Sequence, residues 1–214
     1  MKSILATDLA GSLLKNNVVE KAHKEWFNIM AILLKDDSVK KFAAKPDYFR
    51  HIHAIMERYL GIKDNKLTTL FARSLFQMCW LAAVKDDSYN KEYADFLRRI
   101  KGRFRIILVT STPKDIIDAV LKKISCADIF DNIITNKITE EPDKDKLLKC
   151  MKEKPMFYIT ESKNSIKTCK ELGIKTIIAG WEKIQSWEKQ SKNKPDYEVK
   201  SVEELKKLIS RAAP

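Results

Sequence analysis

Hydrophobic positions along this chain follow two periods, and the change comes near residue 100. A short apolar run, Ile4-Leu5-Ala6-Thr7, opens the chain and ends at Asp8, with Gly11-Ser12 just beyond. It reads as a buried strand leaving through a glycine turn. From about Asn17 to Ile100 the apolar residues recur at helical spacing. Val18, Ala22, Trp26, Ile29, Met30 and Leu33 share one face of a first long helix. Val39–Ala44 forms a short helix that stops before Pro46. Tyr48, Ile52, Ile55, Met56 and Tyr59 line a further helix ending at Gly61. Leu67–Val84 is the most apolar helix, and its Phe71, Leu75, Phe76, Trp80 and Leu81 are expected in the core. Glu92–Arg99 closes the block.

Beyond residue 100 short β-rich runs alternate with short helices. The strands are Arg105–Val109, a segment within Ile129–Ile134, Met156–Ile159, Thr176–Ala179 and an edge strand at Tyr197–Val199. The helices are Asp115–Ile124, Asp143–Lys152, Ile166–Leu172 and Val202–Ile209. Such alternation predicts right-handed βαβ units and a Rossmann-like parallel sheet, an α/β fold. The first strand belongs to that sheet. The expected division is therefore an α/β core of residues 1–14 and 101–214, interrupted by an all-helical segment at 15–100.

Composition narrows the function only slightly. The 214 residues carry a formal charge of +12, compatible with phosphorylated small molecules or polyanions as partners. The lysines are interspersed with acids along helices, and no nucleic-acid fingerprint is present, so a nucleic-acid partner is not indicated. Cys79, Cys126, Cys150 and Cys169 form no C-x-x-C pair and read as reduced thiols of a cytoplasmic protein. No leader-like or membrane-spanning segment is visible, so no membrane role is expected. Gln185–Lys194 reads as a lysine-rich loop. His23, His51 and His53 read as helix residues, since a spacing of two keeps the last pair off one helical face.

Three strand ends carry polar groups: Asp8, Thr110-Ser111 and Glu161. A lysine-rich helix start, Lys144-Asp145-Lys146, lies between the last two. Parallel strands deliver their carboxyl ends to one edge, where ligands of open α/β sheets bind. Asp8 can act there as a nucleophile. Ser12 or Thr110 can donate to phosphate oxygens, and Lys144 can neutralise charge. Asp8 and Glu161 can together meet Mg2+.

These residues resemble, in order and spacing, the motifs of the haloacid dehalogenase superfamily, whose helical cap follows the first strand. The first motif, Asp-x-Asp-Gly-Thr, reads Asp8-Leu9-Ala10-Gly11-Ser12. The second, a strand ending in Thr or Ser, is matched by Thr110. The third, a lysine opening a helix, is matched by Lys144, with Lys137 and Lys146 as alternatives and Glu141-Pro142 where a Lys-Pro form would stand. The fourth, Gly-Asp-x-x-x-Asp, reads Thr160-Glu161-Ser162-Lys163-Asn164-Ser165. The closing Pro195-Asp196-Tyr197-Glu198-Val199 and Ser201-Val202-Glu203-Glu204-Leu205 are also similar.

The resemblance implies a phosphatase-type hydrolase with Asp8 as nucleophile and Mg2+ at Asp8 and Glu161. It also implies a phosphate site at Ser12, Thr110 and Ser111, and Lys144 as the charge-neutralising lysine. The departures limit it. Ala10 replaces the family's general acid and base, a loss of about a hundredfold to ten-thousandfold when uncompensated. Glu161 is one methylene longer than the family's Asp, and Ser165 removes a carboxylate, so magnesium affinity should be weaker than in a full site of the family. An Ala at this position also occurs in the phosphonatase branch, which uses a cap lysine instead. None of Lys40, Lys41, Lys45 or Lys63 matches that branch's context. Two readings follow: a hydrolase of weak or specialised activity, and a catalytically inactive relative kept for binding or regulation.

Overall fold

A computed structural model of the chain describes residues 2–44, 54, 56–59, 61, 63–140, 142–181 and 194–212. Six parallel strands form one sheet in the order β3-β2-β1-β4-β5-β6. They are β1 (Ser3–Thr7), β2 (Phe104–Thr110), β3 (Asn132–Thr135), β4 (Phe157–Thr160), β5 (Lys175–Ala179) and β6 (Tyr197–Val199). β1 sits in the middle, with Thr7 in register with Leu108 of β2 and Ile159 of β4. Asp8 thus leaves the sheet between two neighbours, and its N–H still bonds the Ile159 carbonyl at 2.8 Å. Reversal of strand order at β1 creates a crevice at the carboxyl edge.

The strands are apolar on both faces, as a parallel sheet covered by helices requires. Leu5, Ile106, Leu108, Phe157, Ile159 and Ile177 enter the larger core cluster. Alternate positions Ile4, Ala6, Ile107, Val109 and Tyr158 enter the other. The helices are α1 (Asn16–Leu34), α2 (Asn65–Ala83), α3 (Lys91–Ile100), α4 (Lys114–Lys123), α5 (Lys144–Lys149), α6 (Ile166–Leu172) and α7 (Val202–Ala212), with a 3-10 segment at Asp37–Ala44. Leu147, Leu148 and Cys169 place α5 and α6 on the smaller cluster. Ile117, Val120, Leu205 and Ile209 place α4 and α7 on the larger. α5 is shorter than the expected 143–152: after the Cys150 N–H bonds the Lys146 carbonyl, the Met151 N–H turns to the Leu148 carbonyl at 3.3 Å and the α-helical ladder stops.

Between β1 and β2, every described element is helical or 3-10. α1 and α2 pack on each other, pinned by a hydrogen bond from Trp26 Nε1 to the Ala72 carbonyl at 3.0 Å. α3 packs with the sheet instead. Tyr93, Ala94, Leu97 and Ile100 are buried, and Lys206 of α7 bonds Glu92 at 2.8 Å. The Thr7 hydroxyl donates to the Asp8 carbonyl at 3.0 Å. The Tyr93 hydroxyl, 2.7 Å from Thr7 Oγ1, therefore donates to it. The sequence grouped α3 with the preceding helices because all share one period.

Burial on α2 departs from expectation. Its buried positions are Thr68, Thr69, Ala72, Arg73, Gln77, Cys79 and Trp80. Phe71 is exposed, and Leu75, Phe76 and Leu81 are only partly buried. Met78, 67 % exposed, and Leu67 lie outward. On α1, Leu33 is likewise exposed, and Ile29 only partly buried. Thr69, Arg73 and Gln77, at i, i+4 and i+8, form a polar stripe directed inward. His51, His53, most of the expected helix from Tyr48, and most of the 185–194 loop lie outside the described residues.

Candidate active site

Asp8 is 1 % exposed, and both carboxylate oxygens are held. Oδ1 accepts the Leu9 N–H at 2.7 Å. Oδ2 accepts from Lys144 Nζ and, at 3.2 Å, from the Thr160 hydroxyl. Lys144 reaches it because α5 begins there: Asp143 caps the helix through the Lys146 N–H at 2.9 Å. Lys146 is exposed, and Lys137 meets the site region through its backbone carbonyl. A buried carboxylate needs such compensation to stay ionised.

The other expected residues surround this pair. Thr110 ends β2 and is buried, its hydroxyl 3.2 Å from Thr112 Oγ1 and from the Thr112 N–H that it accepts. Ser111 is half-buried. Ser12 is buried, and its hydroxyl has no hydrogen-bond partner. A buried, unpaired hydroxyl costs free energy that a bound oxyanion would recover. The Ser12 carbonyl accepts from Trp181 Nε1 at 3.3 Å, and the Trp181 ring lies 5.1 Å from that of Tyr93. Burial and the charge of Asp8 push the phenol of Tyr158 well above its ordinary pKa.

Glu161 follows Thr160 and turns across the Asp8–Ser12 loop. Its Oε2 accepts from Asn16 Nδ2, at the start of α1, at 2.6 Å. Gly11 has φ +70°, and a Cβ added there would stand 1.9 Å from Glu161 Cδ. Glycine is thus required twice over: by the left-handed backbone and by the carboxyl group lying on it. Ser165, the last position of the fourth motif, is buried before α6 and offers no carboxylate.

A magnesium ion needs several oxygen ligands in near-octahedral geometry. Among the described residues no group of three or more His, Cys, Asp and Glu side chains is arranged to hold a metal ion. Two carboxylates are present, and both are committed: Asp8 to Lys144, Thr160 and Leu9, and Glu161 to Asn16. The residues do not fit a resident magnesium ion.

Sequence reasoning missed three contributors. Thr160 stands in the sequence only as the position before Glu161 in the fourth motif, and nothing there singles out Asn16 or Arg73. Arg73 of α2, 2 % exposed, crosses to the core. Its Nη1 donates to the carbonyls of Lys137, at 2.7 Å, and Glu140, and its Nη2 to that of Ser111 at 2.6 Å. Burial lowers its pKa, and the charge of Glu140 opposes the shift. Asn16 and Arg73 carry no local signal, because their partners lie 145 and 38–67 residues away. An arginine at helical spacing within an apolar run was the one available hint.

A six-stranded parallel sheet, a helical segment after its first strand and an aspartate at that strand's end define the haloacid dehalogenase-like fold. Solved structures of that class match nearly the whole chain. One is a predicted phosphatase from Clostridium acetobutylicum, with TM-score 0.68 and 18% identity over 99% of each chain. Another is a 2-haloacid dehalogenase from Pseudomonas syringae, with TM-score 0.62 and 15% identity over 100% of each chain. A third is a protein described as a HAD-hydrolase from Bacillus subtilis, bound to magnesium. Its TM-score is 0.62 and its identity 14%, over 98% of this chain and 99% of that one. At such identities the likeness speaks for the fold. No protein-family model and no curated protein matches the sequence. Among the described residues no helix is long and apolar enough to cross a membrane.

Proposed function

We propose that this chain is a hydrolase of phosphoric esters of small molecules, in which Asp8 attacks phosphorus. The observation that carries this reading is the Asp8 carboxylate itself. It is buried at the carboxyl edge of the central strand, paired with Lys144 and oriented by the Thr160 hydroxyl and the Leu9 N–H. A purely structural chain gains little from a buried ion pair at a strand end, since apolar residues there would be as stable or more so. In this reading Thr110, Ser111 and the unpaired Ser12 hydroxyl hold phosphate oxygens. Lys144 offsets the charge that builds up as two anions approach each other.

In this reading the described residues between 15 and about 90 serve as a cap over this edge, and α3 belongs with the core. The cap sets specificity by its shape, with Arg73 tying it to the loops after β2 and β3. Four free cysteines accord with a cytoplasmic setting.

A second reading has its own support. Position 10 carries no carboxylate and the metal donors are few, so the fold could serve as a binding or regulatory module. The phosphonatase-like alternative gains no support among the described residues, where Lys40, Lys41 and Lys63 make no bond at the Asp8 edge, and Lys45 lies outside them. The deciding experiment is hydrolysis of an activated aryl phosphate by the wild type and Asp8→Asn, with and without magnesium. Turnover that falls to background in Asp8→Asn supports the hydrolase. Equal rates in both proteins, or none in either, overturn it in favour of the binding module.

A further inference from the structure

Arg73 is buried within α2, and its guanidinium donates to three backbone carbonyls. As a fastening alone this gains little, since well-packed apolar side chains at such a junction are as stable or more so. A guanidinium does one thing that an apolar side chain cannot: it holds several acceptors in fixed directions in one plane.

Two of those acceptors, the carbonyls of Lys137 and Glu140, lie in the turn after β3, and both take Nη1. The Glu140 N–H closes that turn on the Lys137 carbonyl at 3.0 Å. Asn136 Oδ1 accepts the Asp143 N–H at 3.1 Å, which ties the turn to the start of α5. With Nη1 anchored there, Nη2 faces the end of β2 and donates to the Ser111 carbonyl at 2.6 Å. A trans peptide points its carbonyl and its N–H in opposite directions. Anchoring the Ser111 carbonyl therefore also aims the Thr112 N–H, which reaches Thr110 Oγ1 at 3.2 Å. That hydroxyl has one proton and two lone pairs. With a lone pair turned to the Thr112 N–H, its proton goes to Thr112 Oγ1 at 3.2 Å, a long bond between hydroxyls. A phosphate oxygen carries charge and is the stronger acceptor for that proton.

Resting on the hydrolase reading, we infer that Arg73 is a positioning residue of the phosphate site: by holding the Ser111–Thr112 peptide it turns the Thr110 hydroxyl so that its proton is available to a phosphate oxygen. Both Nη atoms are taken by carbonyls, so Arg73 acts through Thr110 and not on the substrate. Arg73 belongs to the helical segment, so the phosphate site is complete only while α2 is docked on the loops after β2 and β3. The linkage is reciprocal: phosphate bound at Thr110 strengthens that docking by the factor by which docking strengthens phosphate.

The test is a double-mutant cycle on the full chain, with wild type, Thr110→Val, Arg73→Met and the double variant. The probe is inorganic phosphate, titrated calorimetrically at fixed ionic strength and well below each Tm. Thr110→Val should weaken phosphate about ten- to a hundredfold, the loss of one bond to a charged group. Arg73→Met should weaken it about two- to a hundredfold, the range for partners in one hydrogen-bond network. The double variant should bind no more weakly than Thr110→Val, because the arginine then has no hydroxyl to orient. Arg73→Lys, which disturbs folding less, should lie between wild type and Arg73→Met. On an aryl phosphate, KM should rise with the phosphate Kd while kcat changes less. Losses that add in the double variant overturn the inference. So does a lowered kcat with KM and phosphate affinity unchanged, the mark of an arginine that only stabilises the fold. Turnover that survives Asp8→Asn removes the hydrolase reading instead, and the phosphate cycle still decides the role of Arg73.

Discussion

Arg73→Met isolates what one buried cation contributes to holding two parts of this chain together. Methionine keeps the unbranched stem and much of its packing while removing the guanidinium. Three hydrogen bonds are lost, to the carbonyls of Ser111, Lys137 and Glu140. A bond from a charged donor contributes about 1.5–3 kcal/mol, so three taken singly would total about 4.5–9 kcal/mol. Two effects reduce this. The mutant no longer bears the cost of burying a charge. Ser111 and Glu140 are half-buried and Lys137 is exposed, so water can reach the freed carbonyls. The net loss is about 2–4 kcal/mol. For a chain of 214 residues that corresponds to a fall in Tm of about 4–16 °C. Calorimetry reads the midpoint, and hydrogen exchange reads the site: the amides of Lys137 and Glu140, bonded within their own turn, should exchange faster. Arg73→Lys should fall between, since an ammonium cannot span three carbonyls in the plane of a guanidinium. A Tm within about 1 °C of the parent, with unchanged exchange at 137–140, would refute the idea that this contact fastens α2 to the loops after β2 and β3.

Two further outcomes follow from burial. His23 stacks on Phe76 with ring centroids 4.6 Å apart, and burial holds its pKa below the ordinary value, opposed by the charge of Glu20. Below about pH 6.5 the unfolded chain binds a proton that the folded chain resists. Stability should therefore fall as pH drops through that range. His23→Gln should flatten the slope in denaturant titrations, and an unchanged slope would assign the dependence elsewhere. Of the four cysteines, Cys150 is exposed and the other three buried. Burial pushes Cys126 to about 11 and Cys169 to about 12. One thiol should react promptly with a chromogenic disulfide reagent and three only on unfolding, and two or more prompt thiols would contradict the packing described.

Much of this molecule is legible in its residues. Alternation of apolar runs with helical periods specified the parallel sheet, because strands covered on both faces must be apolar throughout. Asp8, Thr110-Ser111 and Glu161 stood out as polar groups ending such runs. Arg73, Asn16 and the inward polar face of α2 did not. An apolar period identifies one stripe of a helix as different from another. It does not say what lies against each stripe. On α2 the side facing the core meets backbone carbonyls of two loops, which polar groups satisfy better than leucine, so Phe71 and Met78 turn outward.

α3 shows the same limit. Its period matches that of its neighbours, yet it packs on the sheet through Tyr93 and Leu97. Local propensity and motif spacing, short-range properties of the chain, determined the strands, the helices and the aspartate at the central strand's end. Which lysine reaches that aspartate, where the glutamate after β4 turns, and which arginine fastens the helical segment were decided only by folding. Each depends on atoms brought together from 38 to 145 residues apart, and no local pattern encodes such distances.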